Sequence, residues 1–126
     1  MIQIDKKSET PIYEQIAQNI ISQVLSGSLQ PGDRIPSVRH LARQLGVNPN
    51  TIQKSYASLL ENGILYSMKG KGDFVADNLS ALRYMKKKEL IAELTQLTQE
   101  AKKAGLWIDE LLSTVDSAYS ENRIVD

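Results

Sequence analysis

The chain has 126 residues, 41% hydrophobic and 24% charged, which fits a soluble globular protein and excludes a disordered or fibrous one. Fifteen Lys and Arg balance fifteen Asp and Glu, so the formal net charge is zero. Cysteine is absent and His40 is the only histidine, which excludes disulfide scaffolds, Cys-based zinc sites, iron–sulfur clusters, Cys nucleophiles and multi-histidine metal centres.

Thr10-Pro11 opens the first predicted helix, with Thr10 as cap and Pro11 in the first turn. Ile12, Ile16, Ile20, Ile21 and Val24 recur at steps of three and four, an apolar stripe that runs to Gly27. Pro31-Gly32-Asp33 reads as a turn. Ser37 then starts a short helix with Val38, Leu41, Ala42 and Leu45 on its inner side, and Gly46 stops it. Asn48-Pro49 caps a third helix, which places Ile52, Tyr56, Leu59 and Leu60 on one side and ends at Gly63. Ile64-Leu65-Tyr66-Ser67-Met68 and Phe74-Val75-Ala76 have strand composition, joined by the tight basic turn Lys69-Gly70-Lys71-Gly72. The expected order is helix 12–27, helix 37–45, helix 49–62 and hairpin 64–76. A short helix, a glycine-containing turn and a second capped helix form a helix-turn-helix, and the hairpin after it makes a winged helix.

Asp77-Asn78 breaks the pattern, and Ser80 caps a long fourth helix reaching about Ala104. Along it Leu90, Leu94, Leu97, Ala101 and Ala104 alternate steps of four and three, the spacing of a coiled-coil seam. After Gly105, Ile108, Leu111, Leu112, Val115 and Tyr119 give a fifth helix with Trp107 at its start. Two amphipathic helices cannot bury both apolar faces by themselves, and a second copy of the same hairpin is the simplest partner. The fold class is therefore mainly α with a small β-hairpin. A winged helix-turn-helix over 1–77 precedes a two-helix dimerisation region over 78–126, with Leu90, Leu94, Leu97, Leu111, Leu112 and Val115 as the dimer contacts. No run approaches the ~20 apolar residues of a membrane span. Met1-Ile2-Gln3-Ile4-Asp5-Lys6 turns charged at once, unlike a secretory signal, so a cytoplasmic location is expected.

The zero net charge hides a pattern. Residues 34–71 hold Arg34, Arg39, Arg43, Lys54, Lys69 and Lys71 against Glu61 alone, while the segments on either side are slightly acidic. A basic middle is what a phosphate-facing module inside a neutral protein shows. On the outward side of the third helix stand Asn50, Gln53, Lys54, Ala57 and Glu61, with Thr51 beside them. Taken alone they are an ordinary solvated face. Inside a helix-turn-helix, Asn and Gln suit paired recognition of adenine, and Lys suits guanine or phosphate. Arg39 opposes the dipole of its own helix, a cost more easily understood if a phosphate or base takes the charge. The Lys69–Gly72 turn lacks the glycine spacing and following helix of a nucleotide-binding loop, and a wing lying on DNA fits better. His40 reads as a surface residue, and Arg83, Lys86, Lys87 and Lys88 as a solvated cluster. With one histidine and no paired-carboxylate or Ser-His-acid arrangement, the chain is not expected to be an enzyme or to need a cofactor or metal.

The string RIPSVRHLARQLGVNPNTIQKSYASLLENGILYSMKGKGDFVAD over residues 34–77 resembles the DNA-binding domain of the GntR family of bacterial transcription regulators, and PIYEQIAQNIISQVLSGSLQPGD resembles its first helix and turn. The resemblance implies a winged helix that binds operator DNA as a dimer. It implies phosphate or base contact from Arg39, DNA contacts from Asn50, Thr51 and Gln53 at the start of the recognition helix with Lys54 beside them, and wing-tip contacts from Lys69 and Gly70. Specific contacts are accordingly expected from Asn50, Thr51, Gln53 and Lys54, with Arg39, Lys69 and Lys71 anchoring the backbone. Many relatives carry an arginine at 53 or 54 where this chain has Gln53-Lys54, so the operator sequence does not carry over. About 49 residues follow the wing, too few for the large effector domains, and two helices resemble the small YtrA-like subfamily. The expected protein is a homodimeric, sequence-specific repressor on a two-fold symmetric operator. A protein–protein interaction module without specific DNA binding is the alternative. An effector is left open: a cleft near Trp107, Tyr84 or Tyr119 can hold a small apolar molecule, while the expected use of those residues is packed core.

Overall fold

The computed structural model describes residues 2–123 and has five helices and one two-stranded antiparallel sheet. In chain order these are α1 (Ile12–Ser26), α2 (Val38–Leu45), α3 (Pro49–Glu61), β1 (Leu65–Met68), β2 (Gly72–Val75), α4 (Ser80–Lys103) and α5 (Ile108–Arg123). Every predicted element is present, with ends that shift by a residue or so, as fraying helix termini do. The chain falls into two compact units, divided between Arg83 and Tyr84.

In the first unit the apolar stripe of α1 does what its spacing implies: Ile16, Ile20 and Val24 are buried, and Ile12 and Ile21 half-buried. The start of α1 differs from expectation. Pro11 itself occupies the cap position, with no side-chain cap bond. The Thr10 carbonyl instead accepts the Gln15 side-chain amide at 2.8 Å. The same amide group donates to the Asp5 carbonyl at 2.9 Å and its oxygen accepts the Asp5 N–H at 2.7 Å. Gln15 thus ties the N-terminal segment to α1, and Ile2 and Ile4 pack on the core. Helix α2 begins as its sequence suggests, the Ser37 hydroxyl accepting the His40 N–H at 3.1 Å. It ends at Gly46 with φ +67°, a left-handed cap that glycine adopts at no steric cost. Asn48 caps α3 through its side-chain oxygen, which accepts the Asn50 N–H at 2.8 Å, and Pro49 fills the first turn.

Strands β1 and β2 pair Leu65 with Val75 and Tyr66 with Phe74, whose rings stack at 5.7 Å. Strand composition predicts two strands, but β2 is paired on both edges. Arg34 forms a bridge with Phe74, the Val75 N–H donates to the Asp33 carbonyl at 2.8 Å, and the Ile35 N–H donates to the Asp73 carbonyl at 3.0 Å. The segment is too short, and too close to Pro36, to show the alternation by which strands are recognised. Its effect is to fasten the wing to the α1–α2 connection. The Arg34 guanidinium also lies along the wing at Gly72, which has φ +110°; a Cβ there would sit 3.0 Å from Arg34 Nε.

Helix α3 packs chiefly on α1 and α2. Ile52, Tyr56 and Leu59 are buried, as expected, while Leu60 is half-buried. The Tyr56 hydroxyl donates to the Pro36 carbonyl at 2.8 Å, joining α3 to the entry of α2. Burial, with the Asp73 carboxylate as a second cause, pushes that phenol above its ordinary value and keeps it neutral. Ser55 is fully buried on the same face, and its hydroxyl has no partner among the described residues. Past the wing, Leu79 is buried and Leu82 packs beside it, so the first unit includes the start of α4.

The second unit is an α4–α5 hairpin closed by helix-end hydrogen bonds from the Gly105 N–H to the Lys102 carbonyl and from the Leu106 N–H to the Ala101 carbonyl. Helix α4 buries none of its residues. Leu90, Leu94, Leu97, Leu112 and Val115 are exposed, as are Tyr84, Trp107 and Tyr119. The three aromatics are therefore not packed core, contrary to expectation, because two helices supply no second layer to cover them. No described helix is long and apolar enough to cross a membrane.

Two stability measurements test this packing. Ser55→Ala is expected to leave stability unchanged or raise it by up to about 1 kcal/mol in denaturant unfolding, since it removes an unpaired buried hydroxyl. A clear loss would mean the hydroxyl is satisfied. Gly72→Ala is expected to lower stability by about 1–3 kcal/mol through backbone strain and displacement of Arg34; an unchanged unfolding midpoint would refute that cause.

Candidate nucleic-acid interface

The periodicity that buries one edge of α3 frees the other. Asn50, Gln53 and Lys54 are exposed in its first two turns, and Thr51 is half-exposed between them. No acidic residue stands in its first turn, so the helix's own side chains there leave its positive end unopposed. With Asn48 occupied in capping, the exposed Asn50 and Gln53 side-chain amides have no hydrogen-bond partner among the described residues, and each offers a donor and an acceptor.

Helix α2 brings Arg39 to the same region. Arg39 and Arg43 line a shallow groove with Ala42, Val47 and Pro49, so both guanidinium-bearing residues flank the start of α3. On the turn between the helices, the Gly46 carbonyl accepts Lys6 Nζ at 3.4 Å. The wing tip carries Lys69, Gly70 and Lys71, all exposed, on a turn closed by the Lys71 N–H donating to the Met68 carbonyl at 2.9 Å. Helix α3 packs against β1, the strand that leads to this tip.

Among the described residues the ion pair found is Lys86–Glu89 at 3.7 Å, on the exposed surface of α4. None of the basic residues between 34 and 71 is paired with a carboxylate among the described residues. In a molecule of zero net charge this is a segregated field, with cations left unneutralised on the helix-turn-helix and wing. Lys54 has a different neighbour: its Nζ stands 3.9 Å from the centroid of the Tyr13 ring on α1. No cluster of metal-ligating side chains occurs among the described residues.

Four residues of this surface escaped the sequence reading as parts of a site. Arg34 and Arg43 were visible in the charge pattern, but only the fold sets Arg34 against the wing and Arg43 beside Pro49. Lys6 and Tyr13 come from segments distant in sequence, with no local signal.

A profile of the family described as bacterial regulatory proteins, gntR family, matches residues 12–75, from the start of α1 to the end of β2. The HTH-type transcriptional repressor YtrA of Bacillus subtilis is 42% identical over 112 residues, covering 88% of this chain and 86% of that protein. A transcriptional regulator from Oenococcus oeni has a similar structure, with a TM-score of 0.76 and 28% identity, covering 94% of this chain and 99% of its own. The AraR DNA-binding domain, solved in complex with operator ORE1, matches at a TM-score of 0.52 and 34% identity over 60% of this chain and 93% of that one. The family match spans the same residues that build the winged helix and its exposed cations, and the likeness to YtrA runs on into α4 and α5: the chain belongs to the GntR family of bacterial regulatory proteins, of the YtrA-like kind.

Proposed function

We propose that this protein is a sequence-specific DNA-binding transcriptional regulator, a repressor that acts in the cytoplasm and binds a two-fold symmetric operator as a homodimer. The observation that carries this reading is the surface of α3: a capped helix buried along one edge, with exposed amides and an amine on the other and, among the described residues, cations without carboxylate partners around it. Such a helix fits the major groove, where paired donors and acceptors distinguish base pairs. Asn50, Thr51 and Gln53, with Lys54, face the DNA. Arg39 holds a phosphate or base beside the start of α3, and Lys69, Gly70 and Lys71 lay the wing on the backbone. These ionic contacts set position and affinity, while the amides supply discrimination.

Dimerisation through α4 and α5 is supported by the exposed leucines. Leu90, Leu94, Leu97, Leu112 and Val115 are large apolar side chains left exposed on the two helices, and Leu111 is half-buried. Surfaces of this kind mark association sites, and joining two copies doubles the operator contacts.

Selection of bound duplexes from a random pool at ~150 mM salt tests the whole reading. A two-fold symmetric motif is expected; salt-sensitive binding without an enriched motif would remove the base-reading roles. Gln53→Ala is expected to cost about 1–3 kcal/mol on the operator and to relax specificity, whereas Lys69→Ala weakens all sequences alike. Equal losses on operator and random DNA would contradict the role given to Gln53. Leu94→Asp is expected to yield monomers by light scattering, and an intact dimer would place the seam elsewhere.

A further inference from the structure

We propose that Tyr13 is a positioning residue for DNA binding: its ring holds the Lys54 ammonium at the flank of α3, so that Lys54 meets a phosphate of the duplex and does not read a base. The inference rests on the DNA-binding reading above and deepens it. Successive residues on a helix are turned by about 100°, so Lys54 does not lie on the same line as Gln53. It is displaced toward α1, where its Nζ stands 3.9 Å from the centre of the Tyr13 ring. That is well inside the range at which a cation is attracted by the face of an aromatic ring. No carboxylate is paired with Lys54 among the described residues, so the ring is what restrains it. Lys54 remains exposed and Tyr13 is half-buried, which fixes the aromatic partner more firmly than the cation.

The chemistry of the ammonium decides what it can then do. Lysine carries a compact charge on a long flexible stem, suited to a phosphate oxygen rather than to the paired acceptors of a guanine edge. Held at its far end, the stem loses in advance the rotamer freedom that DNA binding would otherwise remove. The ring covers one side of the ammonium, and the other stays open to an anion. The Tyr13 hydroxyl meets the Glu14 carboxylate at 3.3 Å, while it is the ring face that meets Lys54. Base reading then falls to Asn50, Thr51 and Gln53.

The test measures affinity for the selected operator and for random duplex across a salt series, using Tyr13→Leu, Tyr13→Phe, Lys54→Ala and the Tyr13→Leu/Lys54→Ala double variant. Tyr13→Leu is expected to weaken both DNAs alike by about two- to fivefold, with Tyr13→Phe matching the unsubstituted protein. Lys54→Ala is expected to reduce the salt slope by about one, and adding Tyr13→Leu to it should cost nothing further. In the free protein, NMR should show the Lys54 ε-methylene protons shifted upfield by the ring in the unsubstituted protein and in Tyr13→Phe, but not in Tyr13→Leu. This readout does not depend on DNA, and it guards against mistaking a folding defect for lost positioning. Additive losses, a Lys54→Ala loss confined to the operator, or unshifted Lys54 protons would overturn the inference while leaving the DNA-binding reading intact. If the unsubstituted protein bound no duplex, both would fall together.

Discussion

Helix α3 is held by one edge. Ile52, Ser55, Tyr56 and Leu59 are buried, and they lock the helix against α1 and α2. The constraint is geometric before it is energetic. At 3.6 residues per turn, burying these positions dictates that Asn50, Gln53 and Lys54 face solvent. Each buried aliphatic or aromatic side chain contributes roughly 1.5–3 kcal/mol through the hydrophobic effect, far more than any single polar contact on the exposed side. The surface that meets DNA in the proposed function is therefore set by packing that never touches it. Tyr56 adds a directional element, since its hydroxyl fixes α3 to the Pro36 carbonyl and so to the entry of α2.

The wing is fixed by the same economy of means. An isolated two-stranded hairpin is marginal in water. Here the strand β2 is paired on its second edge by residues 33–35, and Val75 and Leu65 reach into the core. This anchors the base of the wing while Lys69, Gly70 and Lys71 stay exposed at its tip. The arrangement suits a basic turn that meets a flexible polyanion: the position is set by the scaffold, and the charge remains unspent. Because exposed ion pairs contribute little, leaving these cations unpaired costs the fold almost nothing.

The second unit presents the opposite situation. Leucines at steps of four and three give α4 an apolar edge, yet α4 buries none of its residues. A hairpin of two helices has a single interface, and side chains that point away from it meet only water. Trp107, at 75% exposed, and Tyr119, at 67%, show how much apolar surface is left over. Exposed surface of this kind is stable in a protein only when something covers it, and this is the physical basis for the dimer in the proposed function.

Features governed by local period, and most of those governed by local capping, are legible in the order of the residues alone. The α3 cap at Asn48-Pro49, the stop at Gly46, the stripe of α1 and the coiled-coil spacing of α4 each depend on residues within one or two turns, so they could be read without a fold. The α1 start shows the limit of that reasoning: Thr10 has the chemistry of a cap, but Gln15, reaching back to Asp5, takes its carbonyl, and Pro11 holds the cap position. Long-range packing alone sets the pairing of residues 33–35 with β2, the Arg34 guanidinium against Gly72, the Tyr56–Pro36 bond and the Lys54 ammonium over Tyr13. These contacts join positions about 20 to 40 residues apart. No periodicity carries information over that distance, because which distant side chains meet is set by how the buried faces pack together.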